Sequence, residues 1–586
     1  MKVFFQNLRF FRFVFLLLVL YVFSQCSTQN DLPPGDPDNG GLVVPNGFEV
    51  VVVADSIGSA RHMAVNDNGD IYVKLRGGKP KGIVGLRDVN KDGKADSIVY
   101  FGNYEDVGNY GTGMRLYRGY MYFSTAGEVY RIKLEPGKLV LDAEPELIIK
   151  DDYKNDPHGY EHIAKPITFD NEGHIYLQYG APGDVCQVLN RIPGEPGEFP
   201  CSELEEHGGI WQFDASKKDQ TLQKDGIHYA TGIRSIVGMD WNTADNTLYT
   251  VVHGRDDLAR RNPLQYSKWE SAIFPSEEFL RINKGDNAGW PYFYYDQVRG
   301  KRVLNPEYLG LGIEEESGKD YIQPLIGFPG HWAPNDILFY TGDQFPDHYK
   351  NGAFIAFHGS TNRAPYPQAG YFIAFVPFKD GQPSGEWEVF ADGFIGDEPL
   401  ANVSDAPYRP MALAMGPDGS LYLSETVQGK IWRVMYKGDK RNFGKADLEV
   451  TEARKELPHI RTPDEEIDNL QKGIIMGGER IYATYCAPCH QRNGKGAEGR
   501  FPPLVDTDWV KGDKARLIGV ILNGLEGDIT VNGVGYNGIM PRHDFLSDEE
   551  IAELLTFVRH KFGDGADGIT AREVQNQRNK NLSINQ

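Results

Sequence analysis

The sequence predicts a six-bladed β-propeller followed by a small all-α domain, and three observations carry that prediction. Short strands headed by a turn residue recur as "GDIYV" at Gly69, "GYMYF" at Gly119, "GHIYL" at Gly173, "NTLYT" at Asn246, "GAFIA" at Gly352 and "GSLYL" at Gly419. Each alternates apolar and aromatic side chains after Gly or Asn, the pattern of a half-buried hairpin strand. Six such units suggest six blades, with a count of seven or eight still open to weaker repeats. Helical periodicity is nearly absent between Gly41 and Tyr436, and it appears only after Tyr436. At 586 residues the chain also exceeds what one core can fill, since cores stop growing near ~250 to 300 residues.

In chain order, Lys2, Arg9 and Arg12 precede the apolar run "VFLLLVLYVF", which is too short for a permanent span and reads as an export signal over residues 1–26. "SQC" closes the run and resembles a bacterial lipoprotein signal, which implies acylation of Cys26 and a periplasmic or outer-membrane location. Residues 27–41 have the composition of a flexible tether. The propeller occupies 42–437, with an extended insertion between Asn246 and Gly352. A charged, aromatic-poor linker or helical strap follows at 438–466. The helical domain spans 467–563. Within it "LQKGIIMGGERIYATYC" reads as a helix that delivers Cys486. Ser547 and Glu550 form a capping box ahead of the apolar face Ile551, Leu554, Leu555 and Val558. Residues 564–586 read as a frayed polar tail.

A net charge of -21 argues against nucleic acid or an anionic membrane as partner, so any membrane attachment runs through the lipid. Of five cysteines, Cys186 and Cys201 remain as a pair once the others are assigned. In an exported protein they read as a short disulfide loop, with two buried free thiols as the alternative.

"YCAPCH" places Cys486 and Cys489 at the spacing that meets the two vinyl groups of one haem, with His490 beneath the iron. Zinc binding is the competing reading of the same residues. This portion resembles a class I cytochrome c over about a hundred residues: "GERIYATYCAPCHQRNGKG", "FPPL", "GIMP" and the capped helix. The resemblance implies covalent haem c ligated by His490 and Met540, hence electron relay to a downstream cytochrome or oxidase. Met540 as a plain core residue is the alternative, with His543 three positions on.

"HIAKPITFDNEGHIYLQYG" aligns without a gap to the soluble pyrroloquinoline quinone (PQQ)-dependent glucose dehydrogenases and resembles the sorbosone dehydrogenase-like proteins. "ATGIRSIVGM", "VVHGRDDL", "INKGDNAGWP", "HWAPNDILFYTGDQFP", "AFHGSTNR" and "YRPMALAMGPDGSLYLSE" follow in the family order. The resemblance spans roughly Gly41 to Tyr436 and implies oxidation of an aldose or related sugar at PQQ. His162 would accept the hydroxyl proton, a task suited to an unperturbed pKa near ~6.5. Arg234, Arg363, Arg409 and Lys165 would hold the PQQ carboxylates. The backbone carbonyls of Gly254 and Arg255 would bind Ca2+. Thr361, Tyr408, Ser235 and Lys165 stand where the sorbosone-type signature has Trp, Gly, Asn and Arg. A glycan- or protein-binding propeller that has lost PQQ is the competing reading. "DVNKDGKAD" has oxygen side chains at calcium-loop spacing but Val99 at the twelfth position, so a tight acidic turn is expected.

Overall fold

The computed structural model describes residues 32–77, 82–102, 113–151, 161–262, 265–309, 311–463, 477–497 and 499–584. The export signal with Cys26, and His158, lie outside them.

Six sheets stand around one axis. Blade 1 runs Ala60–Val65, Ile71–Leu75, Ile83–Arg87 and Ser97–Phe101; blade 2 runs Met114–Tyr117, Tyr120–Ser124, Glu128–Lys133 and Glu146–Lys150. Blade 3 comprises Ile167–Phe169, His174–Tyr179, Gly209–Asp214 and Ile227–Thr231; blade 4 comprises Ile236–Asn242, Thr247–Val252, Glu277–Ile282 and Ile326–Phe328. Blade 5 holds Pro334–Phe339, Ala353–Phe357, Phe372–Val376 and Glu388–Ala391. Blade 6 joins Pro410–Met415, Leu421–Glu425 and Ile431–Tyr436 to the N-terminal strand Phe48–Ala54, whose antiparallel pairing closes the ring.

Each repeat seen in the sequence is the second strand of its blade. In four of the six the glycine in front of it takes positive φ, as at Gly69 (88°) and Gly419 (83°), a conformation that glycine adopts without strain, while Asn246 and Asn351 take that role in blades 4 and 5. First strands face the axis and pack against one another around it. A separate hydrophobic cluster fills each gap between neighbouring blades; Phe48, Phe354, Phe390 and Trp432, for example, pack between blades 5 and 6.

Two expectations change, and of the two readings of 438–466 the helical strap is the one that forms. Residues 32–41 are no tether: Asp36 accepts the Val52 N–H at 2.8 Å and pairs with Lys94 at 2.8 Å, while Asn39 accepts the Val50 N–H. The linker is a docked strap, because helix Lys445–Glu452 leads to Arg454 and His459, both on the fully buried Asp392. The polar tail is a helix, Ala571–Ile584, pinned by buried Val574 and by Arg578 on Asp548 at 2.7 Å. The acidic turn at Asp88 is self-contained, its carboxylate accepting the N–H groups of Lys91 and Gly93.

The C-terminal domain has its own core, from Ile481 to Val574, built by helices 477–485, Lys514–Asn523 and Asp548–Phe562. It adds a hairpin to these helices, Leu525–Val531 with Val534–Met540.

Candidate active site and haem site

First strands begin and second strands end on one face of the propeller, and the loops joining these ends carry every residue singled out there. The first strands of blades 1, 4, 5 and 6 open with a register shift. Such bulges re-aim side chains near the strand start, and here Asn335 meets Met411 at 3.3 Å between the neighbouring first strands of blades 5 and 6.

One side of this mouth is cationic. Arg409 donates from Nε to the His358 carbonyl at 3.1 Å and from Nη2 to His358 Nδ1 at 2.8 Å. Arg363 is fully buried; its Nε reaches the Ala272 carbonyl at 3.2 Å, but Nη1 and Nη2 meet no acceptor among the described residues. The Tyr371 hydroxyl beside it is equally unpartnered. Arg61 is 7% exposed and its Nε has no acceptor. Burial, then repulsion from Arg76 and Arg409, lowers Arg61 to about 9, while burial lowers Arg363 to about 10. No described carboxylate pairs with Arg61, Arg363 or Arg409. In a protein of net charge -21 such a group is a prepared anion site.

The other side is internally neutralised. Arg234 pairs with Asp184 at 2.6 Å, nears Asp256 at 3.3 Å and donates to the Gly254 carbonyl at 2.7 Å. Burial works to raise the Asp184 carboxyl, but Arg234, Arg255, Arg261 and Arg191 outweigh it and hold it ionised. The Cys186–Cys201 disulfide forms, and the loop it closes starts just after Asp184, whose carbonyl accepts from Trp290 at 2.9 Å.

His162 shares a 2.7 Å hydrogen bond between Nδ1 and the Ala181 carbonyl, so its Nδ1 carries the proton and Nε2 is the basic nitrogen. Burial, then the Arg234 guanidinium, pushes its pKa down to about 3, so the unshifted imidazole expected from the sequence is not what the fold builds.

Three further expectations are not met by the geometry. Lys165 is 2% exposed with its ammonium taken by Asp151 and set over the Tyr179 ring, so it is not a free cation of the mouth. Arg234 likewise serves Asp184 instead of standing free. The Gly254 carbonyl expected to bind Ca2+ already accepts the Arg234 guanidinium. This arrangement does not fit a cation at Gly254 without moving Arg234.

Arg61 was missed, because no motif marks it. It follows Ala60, the first paired residue of blade 1, whereas Arg409 precedes Pro410, the first paired residue of blade 6, so the two arginines stand at different positions of their strands.

In the C-terminal domain, Cys486 and Cys489 are unpaired thiols flanking a cavity of about 780 Å³ shared with His490, Met540 and His543. An apolar extension lined by Leu504, Ile521, Leu554 and Val558 continues behind His490 and Met540. Nδ1 of His490 is hydrogen-bonded to the Pro502 carbonyl at 2.9 Å, which leaves Nε2 for a ligand. Cys486, Cys489 and His490 do not converge to chelating distance, which disfavours zinc. Two thiols at one rim, one free imidazole nitrogen, a facing thioether and apolar walls fit a haem.

Comparisons with known proteins follow this division. The Glucose / Sorbosone dehydrogenase family matches residues 107–360, a TrAA12-like family matches 312–437, and the cbb3-type cytochrome c oxidase subunit III family matches 474–558. Cytochrome c-552 of Thermus thermophilus is 42% identical over 118 residues, covering 19% of this chain and 89% of its own. The calcium structure of a Trichoderma reesei carbohydrate-active enzyme of family AA12 superposes with a TM-score of 0.55 at 18% identity, over 68% of this chain and 97% of its own. The PQQ domain of pyranose dehydrogenase from Coprinopsis cinerea gives 0.52 at 16% identity, over 67% and 97%. At these identities the two structures speak to the fold alone. The propeller thus contains a domain of the glucose/sorbosone dehydrogenase family of oxidoreductases over residues 107–360, and the domain joined to its end belongs with the cytochromes c.

Proposed function

We propose that the protein oxidises an aldose or related sugar at PQQ held in the propeller mouth and passes the electrons to haem c in its own C-terminal domain. The observation that carries this reading is the group of buried Arg61 and Arg363 with half-buried Arg409, none of which pairs with a carboxylate among the described residues. PQQ bears three carboxylates that would satisfy it, and the pyranose dehydrogenase domain that shares the fold is a PQQ domain by name. This cluster also favours the dehydrogenase over a recognition propeller that has lost its cofactor.

When bound, PQQ supplies a two-electron acceptor for the hydrogen on the sugar's carbinol carbon. The chain's own part is to position and to move a proton. Arg409, fixed on His358, and Arg363, fixed on Ala272, orient an anionic group. His162 holds its Nδ1 proton on Ala181 and offers Nε2 to the sugar hydroxyl. Its depressed pKa keeps it neutral in the resting site, and the arrival of an anionic cofactor beside Arg234 raises its basicity toward the working range. No step is assigned to Ca2+. His490 and Met540 would hold the haem iron between them, and a haem so held would supply electron relay, not substrate chemistry.

Export as a lipoprotein through Cys26 is part of the proposal. The disulfide at Cys186–Cys201 supports an oxidising compartment.

The test uses ferric, haem-loaded protein. PQQ and calcium are added, then a panel of aldoses, while the ferrous haem band is followed. Reduction is expected only with both PQQ and a sugar, and it is expected to disappear in His162→Ala with haem content unchanged. PQQ that fails to bind would overturn the reading.

A further inference from the structure

The short helix Lys268–Ile273 lies in the blade 4 insertion, closed at its start by a Ser267–Glu270 capping box. Its far end serves the mouth: the Ala272 carbonyl accepts from Arg363, and the Ser271 carbonyl is 2.8 Å from His331 Nε2. Its near end reaches the haem domain. Lys268 Nζ lies 3.0 Å from Glu553 Oε1, and Trp269 donates from Nε1 to the Pro463 carbonyl, the last described residue of the strap.

Two more contacts follow the same rule. Pro365, two residues past Arg363, lies 3.6 Å from where a Cβ on Gly477 would stand, and that Cβ would fall 2.5 Å from Glu553. Asp405, four residues before Arg409, pairs with Arg492 at 2.9 Å, and Arg492 lies two residues past His490. Each propeller segment that touches the haem domain therefore also carries or holds a cation of the mouth.

Glu553 is the informative residue. It is only 9% exposed on helix Asp548–Phe562, and its one described partner is Lys268 on the other unit. A carboxylate withdrawn from water needs a cation, and this one is supplied across the interface. Apolar packing does not back it up, because none of the hydrophobic clusters among the described residues mixes the two units.

We propose that Lys268–Glu553 is an electrostatic latch that docks the haem domain on the propeller mouth, and that electrons cross from mouth to haem in this docked state. The proposal rests on the relay reading and adds its place, its residues and its salt dependence. Two electrons leave the mouth per sugar and the haem iron takes one at a time, Fe(III) becoming Fe(II). An external one-electron oxidant must therefore reoxidise the iron between transfers. Docking leaves the cavity rim open for it, with Ile539 75% and Phe545 63% exposed.

Two measurements on the full-length, haem-loaded protein test the latch. A water-soluble carbodiimide is expected to join Lys268 to Glu553 as an amide at low ionic strength, detected by peptide mass, and to lose that product near ~0.5 M salt, where charges are screened within a few ångströms. This readout needs neither PQQ nor sugar, so it judges the latch even if the sugar reading fails. In stopped flow, Lys268→Glu is expected to slow sugar-driven haem reduction about ten-fold, the effect of roughly 1.4 kcal/mol, while reduction by ascorbate is unchanged. The reversed pair Lys268→Glu with Glu553→Lys is expected to recover most of the rate, which a folding defect would not. Absence of the cross-link at low salt, or a Lys268→Glu variant that reduces its haem at the normal rate, would overturn the proposal.

Discussion

Arg363 brings two guanidinium nitrogens into the interior without an acceptor, and this fixes the sign of a prediction. An arginine kept for structure loses stability when removed. One kept for an absent anion is a burden until the anion arrives, since an uncompensated buried charge is destabilising. Arg363→Met is expected to leave the PQQ-free propeller as stable as before or about 1 kcal/mol more stable, and to weaken PQQ binding about 100-fold, as loss of a charge-assisted hydrogen bond pair would. Thermal melting with and without PQQ reads both. The imidazoles of the mouth give a second prediction. His162 is held down to about 3 by burial and then Arg234; His358 is held well below the usual imidazole value by burial and then Arg409. Between the unfolded value of ~6.5 and these lower folded values the unfolded chain binds more protons, so stability is full above that pH and falls as the pH drops. Each imidazole contributes about 1.4 kcal/mol per pH unit to that loss once well inside the window. Denaturant midpoints from pH 8 to 4 are expected to fall, and to fall less steeply in His358→Gln.

At the scale of elements, the strap makes the clearest demand. Asp392 is fully buried, with Arg454 on one oxygen and His459 at 3.0 Å on the other, and its N–H and carbonyl bond Val43. Asp392→Ala removes the buried acceptor shared by Arg454, which keeps Asp397 at 2.6 Å, and His459, so the propeller is expected to lose about 2 kcal/mol. Limited proteolysis is expected to open sites between 438 and 461 that the native strap protects. The elements also show what could be read in advance. The second strands were legible because Gly or Asn turns precede an alternating pattern. First strands such as Pro334–Phe339 were not, since burial on both faces removes the alternation and a bulge shifts the register. Helix Ala571–Ile584 was missed for want of an apolar stripe, yet Thr570 and Glu573 form the reciprocal bonds of a capping box that "TARE" spells out. In the site, His162, Arg363 and Arg409 came from the ordered motifs. Lys165 and Arg234 were misjudged because their counter-ions, Asp151 and Asp184, stand on other segments of the chain and are brought to them only by the fold.

The molecule as a whole is a closed ring with a separately cored passenger. Clusters between blades make each blade depend on its two neighbours, and the ring depends on Phe48–Ala54 pairing with Ile431–Tyr436 across nearly the whole propeller sequence. Val50 and Phe48 are buried in the cluster between blades 5 and 6, and Val53 with Ala54 in that between blades 6 and 1, so one strand seals two clusters. Among the described residues the haem domain shares no cluster with them; of the ion pairs that join it to the mouth, Lys268–Glu553 has one buried end, and Asp405–Arg492 is of the exposed kind worth about 0 to 1 kcal/mol. Cooperative unfolding should therefore divide into two events, one for the ring and one for the passenger. In haem-loaded protein, the propeller's far-ultraviolet signal and the haem's Soret band are expected to melt at separate temperatures. Val50→Asp is expected to lower only the propeller transition, because a buried unpaired carboxylate in the closing strand breaks the ring where it is sealed. Coincident transitions, or a Soret transition that moves with Val50→Asp, would mean that the interface carries far more coupling than its contacts supply.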